Sequence, residues 1–229
     1  MKKLITIIVF ATAQFAAGQQ NSATFYGIGF VLPNNSNDYY TIYGGSSLNL
    51  DFGRTHRNKL TNRFALGRTF HYSYYNYKLR DAHNEPDFKS LILNDRDFDR
   101  RDIQKQVFRS HNIAAGVFTR FILIPSQNSR SDGVYLDLGI QGDFAFSKYY
   151  KIKALMGKRK VRDQYAFNPF TASAFARIGG IGLWRSGSRQ VFYARYRFTD
   201  TFNNKPLPID LPPVTVGIQF TNLLNFSNK

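Results

Sequence analysis

The sequence predicts an all-β protein, an eight-stranded antiparallel up-and-down transmembrane β-barrel. Three observations point there. Apolar residues recur at every second position, the period of a strand. Eight segments carry that pattern. The connections between them alternate short and long, as the two ends of a barrel in a bilayer require. The clearest segment is 133–150, where Leu136, Leu138, Ile140, Gly142, Phe144 and Phe146 alternate with Asp137, Gly139, Gln141, Asp143, Ala145 and Ser147. It exceeds the roughly 5–6 residues of an ordinary strand, and its one apolar face reads as a strand crossing a bilayer.

The chain begins with Lys2 and Lys3, an apolar run at 4–13, and Ala16, Ala17 and Gly18 before Gln19. This is the grammar of a secretory signal peptide, so residues 1–18 are expected to be cleaved and 19–229 to form the barrel domain. About ten apolar residues fall short of the roughly 20 that a spanning helix needs. The 229 residues leave room for one domain, and the absence of cysteine excludes disulfides and thiolate metal sites. A negative mean hydropathy does not argue against a membrane barrel, because half of each strand faces a polar interior.

Taken in order, segment 24–32 sets Tyr26, Ile28, Phe30 and Leu32 against Gly27 and Gly29. Segment 43–53 alternates Leu48, Leu50 and Phe52 with Ser47, Asn49 and Asp51. Segment 62–77 opposes Phe64, Leu66, Phe70, Tyr72 and Tyr74 to Arg63, Gly67, Thr69, His71 and Ser73. Arg68 falls on its apolar face, which calls for a snorkelling side chain or a bulge. In 112–124, Ile113, Ala115, Val117, Phe121 and Leu123 oppose Asn112, Gly116 and Arg120. After 133–150 comes 170–184, where Phe170, Ala172, Ala174, Ala176 and Ile178 oppose Thr171, Ser173 and Arg177 before the pattern blurs at Gly179 and Gly180. The seventh alternates Phe192, Ala194, Tyr196 and Phe198 with Tyr193, Arg195, Arg197 and Thr199; the eighth sets Val214, Val216, Ile218 and Phe220 against Thr215, Gly217 and Gln219.

With the first strand running outward, the inner turns are 54–61, 125–132 and 185–189. The outer connections are 33–42, 78–110, 151–169 and 200–213, all longer. Aromatics gather at segment ends. Tyr39, Tyr40, Tyr43, Tyr72, Tyr74, Tyr75, Tyr77, Tyr149 and Tyr150 fall at outer ends, and Phe52, Phe64, Tyr135, Trp184 and Phe192 at inner ends, predicting two girdles.

A secreted barrel of the lipocalin type would reverse the faces and put Lys and Glu on its wet side. The polar face instead carries Asp51, Asp137 and Asp143 with Arg63, Arg120, Arg177, Arg195 and Arg197. Guanidinium and carboxylate pair in fixed geometry, which suits a crowded lumen. Arg195 and Arg197 are expected to pair across it with Asp137 and Asp143. An eight-stranded barrel is just wide enough to be filled by side chains, so a closed barrel is preferred over a narrow pore.

On these features the chain resembles the small eight-stranded outer-membrane barrels of the OmpA, OmpX and PorT-like type, particularly those of Bacteroidetes-like bacteria. The resemblance covers 19–226 and rests on the signal with Gln19 after it, the strand grammar, and the last strand, Val214 to Phe220. The chain departs from the proteobacterial terminal aromatic, continuing through Asn225, Phe226, Ser227 and Asn228 to Lys229. The resemblance implies an integral outer-membrane location.

The formal net charge is +16. Nucleic acid is not expected as a partner, since the charge lies mainly between strands of an exported chain. The 151–169 connection concentrates it, with Lys151, Lys153, Lys158, Arg159, Lys160 and Arg162 opposed by Asp163 alone. At an outer leaflet these groups would meet lipopolysaccharide phosphates or an acidic protein surface. The 78–110 connection mixes signs, and its Ile103, Val107 and Phe108 suit a short helix or strand extension at the rim. His71 and Ser73 share a strand face and resemble the His-x-Ser of lipid A deacylases, an enzymatic alternative whose plainer reading is a pair of lumenal hydrogen-bonding residues. His56, His71, His83 and His111 lie on different elements, so neither a metal nor another cofactor is expected. The function these features predict is a non-enzymatic outer-membrane component of an envelope complex, with lipid, lipopolysaccharide and an envelope protein as partners.

Overall fold

The computed structural model describes residues 20–33, 41–42, 46–80, 103–126, 133–154, 157–161, 168–181, 189–202 and 211–221. Its strands are β1 (Gln20–Val31), β2 (Thr41–Ile42), β3 (Leu48–Lys59), β4 (Phe64–Arg80), β5 (Ile103–Ile124), β6 (Val134–Ala154), β7 (Gly157–Val161), β8 (Phe170–Ile181), β9 (Arg189–Arg197) and β10 (Val214–Thr221). Eight of them, all but the short β2 and β7, form one closed antiparallel barrel: consecutive strands pair, and β10 closes on β1. Among the described residues there is no α-helix.

The hydrogen-bonded path around the wall sets the shape. Starting at Ser22 it passes His56, Arg68, Val117, Ile140, Ala174, Tyr196 and Val214. It returns to β1 at Leu32, whose amide donates to the Val214 carbonyl. Leu32 lies ten residues beyond the start. That stagger tilts the strands by roughly 40° and gives an interior that side chains can fill.

Burial follows the alternation. Ile28, Phe30, Leu50, Phe52, Phe70, Ile113, Val117, Leu138, Ile140, Phe144 and Phe170 point outward and are exposed, whereas Asp51, His71, Ser73, Arg120, Asp137, Gln141, Arg177 and Arg195 are buried inside. The polarity is inverted relative to a water-soluble core. Glycines on the inner face make room for large rings directly opposite. A Cβ on Gly67 would lie 2.1 Å from the Phe118 ring, and one on Gly179 would lie 2.4 Å from the Tyr135 ring.

Several expectations are corrected. Residues 54–61 are not a turn: β3 runs on to Lys59 and only residues 60–63 turn, closed by Leu60 and Thr61 amides on the Phe64 carbonyl. Alternation fades there because the outward positions become Arg54 and His56, while the ladder itself continues. Arg63 sits exposed in this turn and is not a lumenal residue. Arg68 needs no bulge, since both its ladders are regular and its side chain is exposed on the outer face. Of the two forms expected around Ile103, Val107 and Phe108, a short helix or a strand extension, the structure has the strand extension, as the first part of β5.

Among the described residues, not every expected girdle aromatic faces outward. Tyr72 and Tyr196 face outward, but Tyr77, Tyr135 and Tyr150 are buried. Tyr150 is turned by a bulge: His111 pairs with Ser147 and Asn112 with Ala145, leaving Phe146 as the extra residue on β6. One inserted residue swaps the faces of everything beyond it. A second irregularity, at Gly180 with φ 84°, shifts the β8–β9 register where the pattern blurs. Tyr39, Tyr40, Tyr43 and Trp184 lie outside the described residues.

Candidate functional site: a lumenal charge network and an outer basic face

The lumen is crossed by two charge clusters. In the first, register puts Arg120, Asp137 and Arg177 side by side on β5, β6 and β8. Arg120 grips Asp137 with two bonds, Nε to Oδ1 at 2.6 Å and Nη2 to Oδ2 at 2.9 Å, and Arg177 Nη2 approaches the same carboxylate at 3.1 Å. Aromatic faces cover both cations: Arg120 lies 3.4 Å from the Tyr135 ring centre and Arg177 lies 4.4 Å from that of Phe118. Such contacts favour planar guanidinium over ammonium.

In the second cluster, Arg195 on β9 reaches Asp51 on β3 at 2.8 Å. Asp51 also accepts from Asn49 Nδ2 at 3.1 Å and from the Ser73 hydroxyl. Tyr193 donates to Asn49 Oδ1 at 2.8 Å, and Arg195 donates to the Tyr75 hydroxyl. Asp143 accepts from Gln141 Nε2 at 3.0 and 3.1 Å. Arg197 is half-buried and donates to the Thr199 and Leu211 carbonyls. The expected pairing is therefore revised: Arg195 meets Asp51, and Asp137 is held by its strand neighbours Arg120 and Arg177. The reason is geometric. Neighbours in register lie within reach without crossing the barrel, and the ten-residue stagger brings β9 level with Asp51 rather than Asp137.

His71 and Ser73 do share the inner face of β4, at 3% and 0% exposure. The Ser73 hydroxyl bonds Asp51, and neither His71 nitrogen has a hydrogen-bond partner among the described residues. The Phe25 ring meets the imidazole edge-on at 5.6 Å. No base–nucleophile bond joins the two residues. Among the described residues, no group of three His, Cys, Asp or Glu side chains is placed to hold a metal ion.

The predicted basic loop is in part a hairpin, β6 with β7. Its register sets Lys153 opposite Lys158 and Lys151 opposite Lys160. On the other side of β6, Lys105 stands opposite Lys153. Lys105, Lys153, Lys158 and Lys160 are exposed, and Lys151 is half-exposed. Beyond the Phe146 bulge these lysines share the outer face with Tyr149, over whose ring Lys160 Nζ sits at 3.8 Å. Tyr149 stacks on His111, whose Nδ1 is 2.7 Å from the Tyr72 hydroxyl. The basic groups therefore stand directly outside a band of outward aromatics. Arg159 lies on β7, and Arg162 is outside the described residues.

Asn49, Lys105, Tyr75, Tyr135, Gln141 and Tyr193 are site residues that the charge pattern alone misses. Their signal is position: each occupies an inward or rim position beside a charged partner once register is known. In comparisons with known proteins, no family model matches the chain, and no curated protein matches it in sequence.

Proposed function

We propose that this chain is an integral outer-membrane barrel, closed by its own side chains, that serves as a non-enzymatic interaction component of an envelope complex. One observation carries the reading: Asp51, Arg120, Asp137, Asp143, Arg177 and Arg195 are buried inside, while large apolar side chains are exposed on the outside of every barrel strand except β10. A continuous apolar outer wall of that extent suits lipid and is a liability in water. The Arg–Asp network spans the interior, which supports a structural role over conduction.

The outward lysine row refines the partner. Lys105, Lys153 and Lys158 lie directly opposite one another on three strands, an arrangement that repels unless an anion is shared. It projects sideways beyond an aromatic band, the level at which outer-leaflet headgroups lie. Lipopolysaccharide phosphates fit this placement and chemistry.

The test is expression in a Gram-negative host, followed by membrane fractionation and mild-detergent extraction. The expected result is an outer-membrane band whose gel mobility changes on heating, carrying lipopolysaccharide and co-purifying envelope protein. Changing Lys105, Lys153 and Lys158 together to Gln should lower the bound lipopolysaccharide while the heat-modifiable band persists. Recovery in the soluble periplasmic fraction would overturn the membrane reading. Unchanged lipopolysaccharide content would overturn the role of the lysines, and retained lipopolysaccharide with lost protein would indicate an acidic protein partner instead.

A further inference from the structure

Deep in the lumen, between the two charge clusters, lies a cavity of about 10 Å³. Its polar wall is formed by Thr69, His71, Gln141, Arg177, Arg195 and Gln219, with aromatic rings completing the lining. These side chains are all buried. Two guanidiniums face the space and no carboxylate does. The Thr69 hydroxyl, both ring nitrogens of His71, and the Nε atoms of Arg177 and Arg195 have no hydrogen-bond partner among the described residues. Buried polar groups left in that state are rare, and each calls for a partner.

The chemistry of these groups restricts what the partner can be. Guanidinium Nε–H only donates, so the occupant must accept from two cations at once. The carboxylates around it are already engaged, Asp51 by Arg195, Ser73 and Asn49, Asp137 by Arg120 and Arg177, and Asp143 by Gln141. A cavity near 10 Å³ holds a single water-sized particle, which excludes sulfate, phosphate and any organic acid. A water molecule satisfies the donors but leaves the arginines facing each other across a low-dielectric gap. A monatomic anion satisfies both the donors and the charge.

We infer that the lumen holds one halide-sized anion, chloride in physiological media, bound by Arg177 Nε, Arg195 Nε, Thr69 Oγ1 and His71. It acts as a counter-ion that stitches the two clusters into one network. The inference rests on the barrel interior and is independent of where the barrel resides.

Bromide is the probe. Crystals of the full chain grown in sodium bromide should give one anomalous peak within hydrogen-bond reach of Arg177 and Arg195. In solution, replacing gluconate by chloride at constant ionic strength should raise the melting temperature with saturation. Thr69→Val, close in volume, should raise the half-saturating chloride concentration by about tenfold, the effect of losing one hydrogen bond to a charged group. Melting temperatures that are equal in gluconate and chloride, or a site without anomalous signal, would mean water alone and overturn the inference. Unchanged half-saturation in Thr69→Val would overturn the placement of the ion. Arg177→Lys keeps the charge but lacks the Nε–H and provides a second variant if Thr69→Val fails to fold.

Discussion

Arg195 and Asp51 meet at 2.8 Å although 144 residues separate them and their strands are not neighbours. Every backbone hydrogen bond in the wall joins adjacent strands. This side-chain contact ties β9 to β3 through the interior, so it resists flattening of the barrel in a way the ladder cannot. Its worth depends on both partners being present, since a buried charge without its counter-charge is the costly state.

Asp51→Ala should therefore destabilise the barrel by about 3–5 kcal/mol, and Arg195→Met by a similar amount. Combining the two should cost much less than their sum, because the orphaned charge is gone. Urea unfolding of the refolded single and double variants measures this coupling, and strictly additive costs would show that the contact carries no energy of its own.

Asp137 serves two arginines, whereas Arg177 has one carboxylate and two aromatic faces. Asp137→Asn should consequently lower the unfolding midpoint more than Arg177→Met does. The comparison is made in the same denaturant series, and the reverse order would remove Asp137 from the centre of this cluster.

Gly67→Ala places a methyl against the Phe118 ring and should cost about 1–3 kcal/mol, the range for overpacking. Gly142, on the outer face, has nothing within 4 Å of an added Cβ. Gly142→Ala should leave the midpoint unchanged. Equal effects at the two sites would contradict the inward and outward assignment of β4 and β6.

Lys153 stands between Lys105 and Lys158. Lys153→Gln should raise the melting temperature of delipidated protein in low salt, and the gain should shrink as salt screens the repulsion. A salt-independent change would point to packing rather than charge.

The faces of the strands were readable because outward and lumenal positions differ so sharply in polarity. Asp137 and Arg177 could be placed inside from alternation alone. What sits beside what was not readable. The Arg195–Asp51 contact depends on stagger around a closed wall, a property of all eight ladders together. The inward turn of Tyr150 depends on a single bulge at Phe146, whose residue type gives no warning. The continuation of β3 to Lys59 was hidden because a ladder needs backbone partners and not apolar side chains. The orphaned donors of His71 and Thr69 were invisible for the same reason that register was: each becomes unusual only beside Arg177 and Arg195.

The uneven strands have a consequence of their own. β5 has 22 residues, while β10, four places round the closed wall from it, has 8. Among the described strands the rim therefore rises into a parapet on the β5 flank. A cylinder of eight equal staves would look alike from every compass bearing; this one has a front. Anything that docks against the parapet is fixed in azimuth as well as in height.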